Sequence, residues 1–299
     1  MTEDQHTQQD PTQQYHQPDQ QPEQELEYPG LESEMHPTPD YGEDSYRGSG
    51  RLEGRVAIIT GGDSGIGRAV ALAFAREGAD VLISYLAAEE PDAQETAQVV
   101  EEAGKKAVQA PGDIGEEAQC QRLIEQAISE FGKIDILVNN AAYQMYREGI
   151  QSISARELEH TYRTNVFSMF YLCKAALPHM QPGSSIINTS SVEAYQPQPM
   201  LLDYASTKAA IVNFTKGLAM EVAQQGIRVN VVAPGPVWTP LIPATMPAEF
   251  VSQFGQQESP MGRAAQPAEL APAYVFLASQ ESSYVNGETL GVTGGTPLP

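Results

Sequence analysis

From Arg51 onward, short runs of β-branched residues alternate with longer stretches of helical periodicity, and this alternation constrains the chain more than any other feature. The apolar runs are residues 56–60, 81–85, 107–110, 134–139, 185–189, 228–233 and 288–292; helical patterns fill 68–77, 92–103, 116–131, 155–180, 203–225 and 267–279. Gly78, Gly104, Gly132 and Gly226 stand where helices should stop, because glycine adopts the left-handed cap conformation without penalty. Strands apolar on both faces, each followed by a helix, describe a parallel sheet covered on both sides. The expected fold is therefore α/β: a single doubly wound domain around a mostly parallel, seven-stranded sheet. Residues 234–262, rich in Pro and Gly, are too long for a simple connector and read as a lid or substrate loop.

Residues 1–50 are a different polymer. They hold 12 acids against one base (Arg47), nine Gln, three of the five His, and almost no aliphatic side chains. Such composition cannot bury enough apolar surface to offset chain entropy, so residues 1–50 are expected to be a disordered acidic Gln/Pro-rich tail. Residues 51–299 are expected to form one folded domain.

The whole chain has 299 residues and a formal net charge of −22. A pI near 4.5 argues against nucleic acid, whose binding needs clustered cations. No apolar run approaches the ~18–20 residues of a membrane span, and no basic-then-apolar secretion signal opens the sequence. Cys120 and Cys173 lie far apart without metal-ligand spacing, which suits a reducing cytoplasm. With only His160 and His179 beyond the tail, no histidine-built metal site is expected.

The segment Thr60, Gly61, Gly62, Asp63, Ser64, Gly65, Ile66, Gly67 follows the first strand and opens the first helix. Glycines there let the backbone approach a pyrophosphate, whose charge sits against the helix N-terminal amides. The spacing Gly-x-x-x-Gly-x-Gly resembles that of the short-chain dehydrogenase/reductase family, a Rossmann-type fold. Further motifs carry the resemblance. Asn139, Asn140, Ala141, Ala142 is similar to the family's Asn-Asn-Ala-Gly element, with Ala142 replacing the usual Gly. Tyr204 and Lys208 form a Tyr-x-x-x-Lys pair, with Ser191 thirteen residues before Tyr204 and Asn165 in a Thr-Asn-Val stretch. Pro234 to Thr239 resembles the Pro-Gly-x-x-x-Thr element on the nicotinamide side. The resemblance spans residues 51–299. The stretches 61–67, 190–197 and 254–257 look like a bacterial branch described as general stress proteins or NADP-dependent aldehyde reductases.

The resemblance implies an NAD(P)(H)-dependent oxidoreductase that moves a hydride between nicotinamide and a carbonyl or alcohol, with an aldehyde, ketone or sugar as small-molecule substrate. Tyr204 and Lys208, four apart on a helix, share a face. A free tyrosine has a pKa of ~10, and a nearby ammonium is expected to pull it down toward a working acid/base. Ser191 would hydrogen-bond the reacting oxygen, and Asn165 would anchor a water that relays the proton. By the same resemblance Lys208 grips the nicotinamide ribose. Cofactor contacts are expected from Gly61, Asp63, Ser64, Gly65, Ile66, Gly67, Ser84, Tyr85, Asp113, Ile114, Asn140, Ala141, Tyr204, Lys208, Pro234, Gly235, Val237 and Thr239. Asp113 reads equally as a cap for the helix starting near Gly115. Tyr195 lacks a Lys four residues later and is set aside.

An acid at the end of the second strand favours NAD; Ser84 or Tyr85 occupies that place, and Asp80 stands at the strand's start. The missing acid allows NADP(H), although no Arg or Lys follows in residues 86–90 to pair with its phosphate; the resemblance to the NADP-dependent branch implies NADP(H), with NAD(H) possible. Family members suggest a homotetramer or homodimer, joined through helices 155–180 and 203–225 and the last strand. The competing reading is a nucleotide-binding or stress-protective protein with little turnover.

Overall fold

The computed structural model describes residues 4–15 and 20–299. Seven strands, β1 (Val56–Thr60), β2 (Asp80–Tyr85), β3 (Ala107–Pro111), β4 (Ile134–Asn139), β5 (Met180–Thr189), β6 (Arg228–Pro234) and β7 (Thr289–Val292), form one sheet ordered β3-β2-β1-β4-β5-β6-β7. Every pairing is parallel. The helices are α1 (Gly65–Arg76), α2 (Glu90–Glu102), α3 (Glu117–Phe131), α4 (Ala155–Tyr162), α5 (Ser168–Ala176), α6 (Leu202–Val222), α7 (Ala248–Val251) and α8 (Pro267–Ala278).

Alternation along β1 shows how the layers form. Ala57 and Ile59 enter one core with Val70 and Phe74 of α1 and Leu270 and Tyr274 of α8. Ile58 enters the other with Leu123 of α3, Leu172 of α5 and Ile211 of α6. A period of two thus feeds two cores, and the sheet is buried on both faces. The strand order reverses direction between β1 and β4, which opens a crevice at their carboxyl ends.

Glycine is required where β1 turns into α1. A Cβ on Gly67 would lie 1.7 Å from the Gly61 carbonyl oxygen, so only a bare backbone fits. Gly132 caps α3 at φ 78°, the left-handed conformation expected of it.

Two departures have local causes. The single helix expected over residues 155–180 is broken: α4 ends at Tyr162, a π-turn covers Arg163–Phe167, and α5 ends at Ala176. The strand expected over 185–189 begins earlier, at Met180, which pairs with Ile134 ahead of a register shift.

The larger correction concerns the N-terminus. The described residues 20–50 pack on the domain rather than trailing from it. Met35 is fully buried in a cluster with Tyr204, Trp238, Met246 and Phe254. The Tyr46 hydroxyl donates to Glu77 at 2.8 Å, and Arg76 donates to the Tyr46 carbonyl at 2.6 Å. Composition misses this because the apolar anchors are few and far apart, yet Leu26 and Met35 join one buried cluster and Tyr41 and Tyr46 another. Acidity does not forbid burial where the domain supplies a cation, as Arg68 does for Glu32 at 2.9 Å. The expected tail also includes residues 1–3 and 16–19, which lie outside the described residues.

Candidate active site

The crevice at the carboxyl ends of β1 and β4 deepens into a cleft of about 700 Å³. Its floor is set by hydrogen bonds between strand ends. Thr60 Oγ1 accepts the Asn140 and Ala141 amides at 3.0 and 3.1 Å. Asn140 Nδ2 donates back to the Thr60 and Gly61 carbonyls at 3.2 and 3.1 Å. The glycine-rich turn and the Asn-Asn-Ala-Ala segment are thereby one braced unit.

Gly61, Asp63, Ser64, Gly65, Ile66, Ser84, Tyr85, Asp113, Ile114, Asn140, Ala141, Ser191, Tyr204, Lys208, Pro234, Gly235, Val237 and Thr239 all line this cleft. Gly67 and Asn165 are not among its lining residues. Asp113 Oδ1 accepts the Gly115 amide at 2.8 Å, and α3 begins two residues later, so Asp113 shapes its turn while facing the cleft.

At the inner end, Tyr204 and Lys208 project from α6 beside Ser191. Lys208 Nζ donates to the Thr189 carbonyl at 3.0 Å and lies 5.2 Å from the centre of the Tyr204 ring. The Ser190 hydroxyl donates to the Lys208 carbonyl at 2.8 Å, tying α6 to the end of β5. Burial pushes Lys208 down to about 7, with no anion beside it to restore its charge. Burial also drives the Tyr204 phenol well above its ordinary value, opposed by the Ser191 hydroxyl and reinforced by Glu193. The sequence expectation was an ammonium pulling the phenol down. Burial instead moves each member of the pair toward its neutral form.

Asn165 lies in the π-turn. Its Nδ2 donates to the Tyr143 carbonyl at 2.8 Å and to Thr207 Oγ1 at 3.0 Å, and its Oδ1 accepts the Tyr143 amide at 2.7 Å. These side-chain bonds fasten the segment after β4 to α6.

The adenosine end holds buried polar atoms with no partner of their own. Both carboxylate oxygens of Asp63 and the Ser84 hydroxyl lack hydrogen bonds. Burial, then the neighbouring Glu89 carboxylate, raises Asp63 above the usual carboxylate range, and burial raises Glu89 likewise. Orphaned polar groups in a cleft call for a ligand that can satisfy them. Together with a turn that admits no Cβ at Gly67, they fit the ribose and pyrophosphate of a dinucleotide. Among the described residues no His, Cys, Asp or Glu cluster could hold a metal, and no helix is long and apolar enough to cross a membrane.

The cleft also gathers residues that sequence reasoning missed. Tyr28 and Pro29 come from the N-terminal segment, whose composition concealed any role. Glu89 was seen only as a neighbour without positive charge. Glu193, two residues after Ser191, accepts the Gln198 amide at 2.7 Å and faces the cleft with Gln144 and His160.

Comparison with known proteins agrees with this geometry. Residues 61–297 match the family model described as enoyl-(acyl carrier protein) reductase. The chain is 53% identical over 267 residues to general stress protein 39 of Bacillus subtilis (strain 168), covering 89% of this chain and 93% of that one. It is 50% identical over 273 residues to the chloroplastic NADPH-dependent aldehyde reductase 1 of Arabidopsis thaliana, covering 89% and 94%. A short-chain dehydrogenase of Burkholderia cenocepacia J2315, solved in complex with NADP, superposes with a TM-score of 0.76 at 30% identity, covering 82% of this chain and 98% of that one. The chain belongs to the short-chain dehydrogenase/reductase family. It is an NAD(P)-dependent oxidoreductase acting on CH–OH and carbonyl groups.

The state of Lys208 is open to measurement. Native Lys208 releases its proton near 7, whereas an unfolded lysine does so near 10.5. Between those values the unfolded chain binds more protons, so stability rises with pH. Lys208→Met lacks this titration. Melting cofactor-free protein across that window should therefore show wild type gaining on the variant as pH increases; a difference that stays flat would contradict a buried neutral lysine.

Proposed function

We propose that the protein reduces aldehydes, ketones or sugars, and oxidises the corresponding alcohols, with Tyr204 as the acid/base. The observation that carries this reading is the meeting of Ser191, Tyr204 and Lys208 in the cleft whose other end is the glycine-rich turn. Bound nicotinamide supplies or accepts the hydride. Tyr204, favoured in its protonated form, is ready to donate to a carbonyl oxygen held by the Ser191 hydroxyl. Lys208 would hold the nicotinamide ribose and, when charged, would favour the phenolate that remains. Asn165 is a positioning residue: through Tyr143 and Thr207 it sets where α6 presents Tyr204 and Lys208. Gln144, Glu193 and Gln198 on one wall and Leu201, Met246 and Phe250 on another suit a polar carbonyl compound with an apolar portion.

NADP(H) is the preferred cofactor in this reading, by a small margin over NAD(H). In favour are the absence of an acid at the end of β2 and the NADPH-dependent relative. Opposing it are Asp63 and Glu89, which face the same end of the cleft. While Asp63 keeps its proton it can donate to a 2′-phosphate; once ionised it repels phosphate and accepts ribose hydroxyls. We also propose a cytoplasmic homotetramer or homodimer. Leu158, Phe167, Phe170 and Leu202 are exposed on or beside α4, α5 and α6, and Phe170 packs on Phe214 at 4.4 Å.

Three measurements test these statements. Tyr204→Phe keeps the ring and loses the proton, so turnover should fall by about two orders of magnitude or more while cofactor affinity holds; near-normal rates would reject the assignment. Assayed with both cofactors, wild type should favour NADPH over NADH in kcat/KM by less than about tenfold, since no charge-assisted pair is available. That ratio should fall as pH rises. Asp63→Asn should raise it and flatten its pH dependence, and no change in the variant would remove Asp63 from cofactor selection. Light scattering should report a dimer or tetramer, and a monomer at working concentration would refute the proposed assembly.

A further inference from the structure

Residues 26–46 form a strap that the reaction as described so far does not use. Within it Glu32 is completely buried, against Arg68 and Asp92, which are nearly so. Glu32 Oε2 accepts the Gly65 amide at 2.6 Å, and Oε1 accepts from Arg68 at 2.9 Å. The Glu32 amide donates to Asp92 Oδ2 at 2.8 Å. Arg68 in turn donates to the Asp63 carbonyl at 2.9 Å and to the Thr96 hydroxyl at 3.0 Å. One carboxylate from outside the domain core is thus tied to residues 63, 65 and 68 of the glycine-rich turn.

The strap has a second anchorage on the substrate loop. The Trp238 indole donates to the Pro37 carbonyl at 2.7 Å, and the Leu26 amide donates to the Pro243 carbonyl at 2.9 Å. Met35 packs in one cluster with Trp238. Between the two anchorages Tyr28 and Pro29 face the cleft itself.

The geometry points to the strap as a wall of the cofactor site, with Glu32 as a positioning residue that holds the glycine-rich turn in its binding shape. The first amides of a helix have no partner within it. Gly61 and Gly65, at φ 59° and 49°, give this turn more freedom than other residues would. Glu32 takes the Gly65 amide, so the turn is fixed where Ile66 lines the cleft, at the helix start that suits a phosphate. The strap then holds this turn and the substrate loop at one separation, which a dinucleotide must span.

The inference rests on the dinucleotide reading of the same cleft, and full-length protein can separate the two. NADPH titration by fluorescence should give a measurable Kd for wild type. Glu32→Ala should raise that Kd and the cofactor KM about tenfold, because a turn freed of its acceptor must be ordered on binding, with kcat at saturating cofactor nearly unchanged. Glu32→Gln retains an acceptor for Gly65 and should recover most of the affinity. If Glu32→Ala does not fold, Glu32→Asp, too short to reach Gly65 and Arg68 together, should show the same rise. A Glu32→Ala protein with a lower melting temperature but wild-type Kd would overturn the proposal, because only a structural contact would then have been lost. Wild type that bound neither NADPH nor NADH would overturn the cofactor reading itself, and the strap's role with it.

Discussion

The Thr60 hydroxyl joins the carboxyl ends of β1 and β4, and the active site is organised around that junction. It takes two amides that would otherwise be orphaned where the strands diverge, and an unmet buried amide costs about 1–3 kcal/mol. Asn140 completes the link in the other direction. The crevice that any doubly wound sheet opens at this place becomes a fixed floor here. The glycine-rich turn lies on one side of it, and Ser191, Tyr204 and Lys208 on the other.

Burial then sets the chemistry. Burial disfavours the charged forms of both Lys208 and Tyr204, and the lysine's hydrogen bond to Thr189 holds its place. In the proposed reduction a carbonyl would therefore meet a proton donor before it meets a base. The same reasoning applies at the adenosine end, where Asp63 and Glu89 resist ionisation together. Acidic groups at both ends of the cleft are tuned by desolvation more than by partners.

Periodicity made the sheet legible. β1 and β4 have the boundaries expected from their apolar runs, since strands buried on both faces leave an unbroken hydrophobic signature. The candidate catalytic and cofactor residues were picked out by ordered motifs, and nearly all of them line one cleft. What escaped had no local signature. The π-turn at Asn165 interrupts a pattern that reads as continuous helix, because one extra residue in a turn leaves hydrophobic spacing almost intact. The strap escaped for another reason: Met35 and Glu32 are single anchors in a polar background, and their sockets are built by residues far along the chain.

That distance affects how the molecule is made. The strap leaves the ribosome first, and Glu32 can meet Arg68 once 36 more residues have followed. Pro37 must wait for Trp238, 201 positions later. Throughout that interval the segment lacks its last partner, and incompletely covered chain is prone to associate. Its surplus of carboxylates keeps a waiting segment hydrated and repels other nascent chains. The acidity that made these residues look like mere solvent-loving chain thus fits a piece that must stay soluble until its last socket exists.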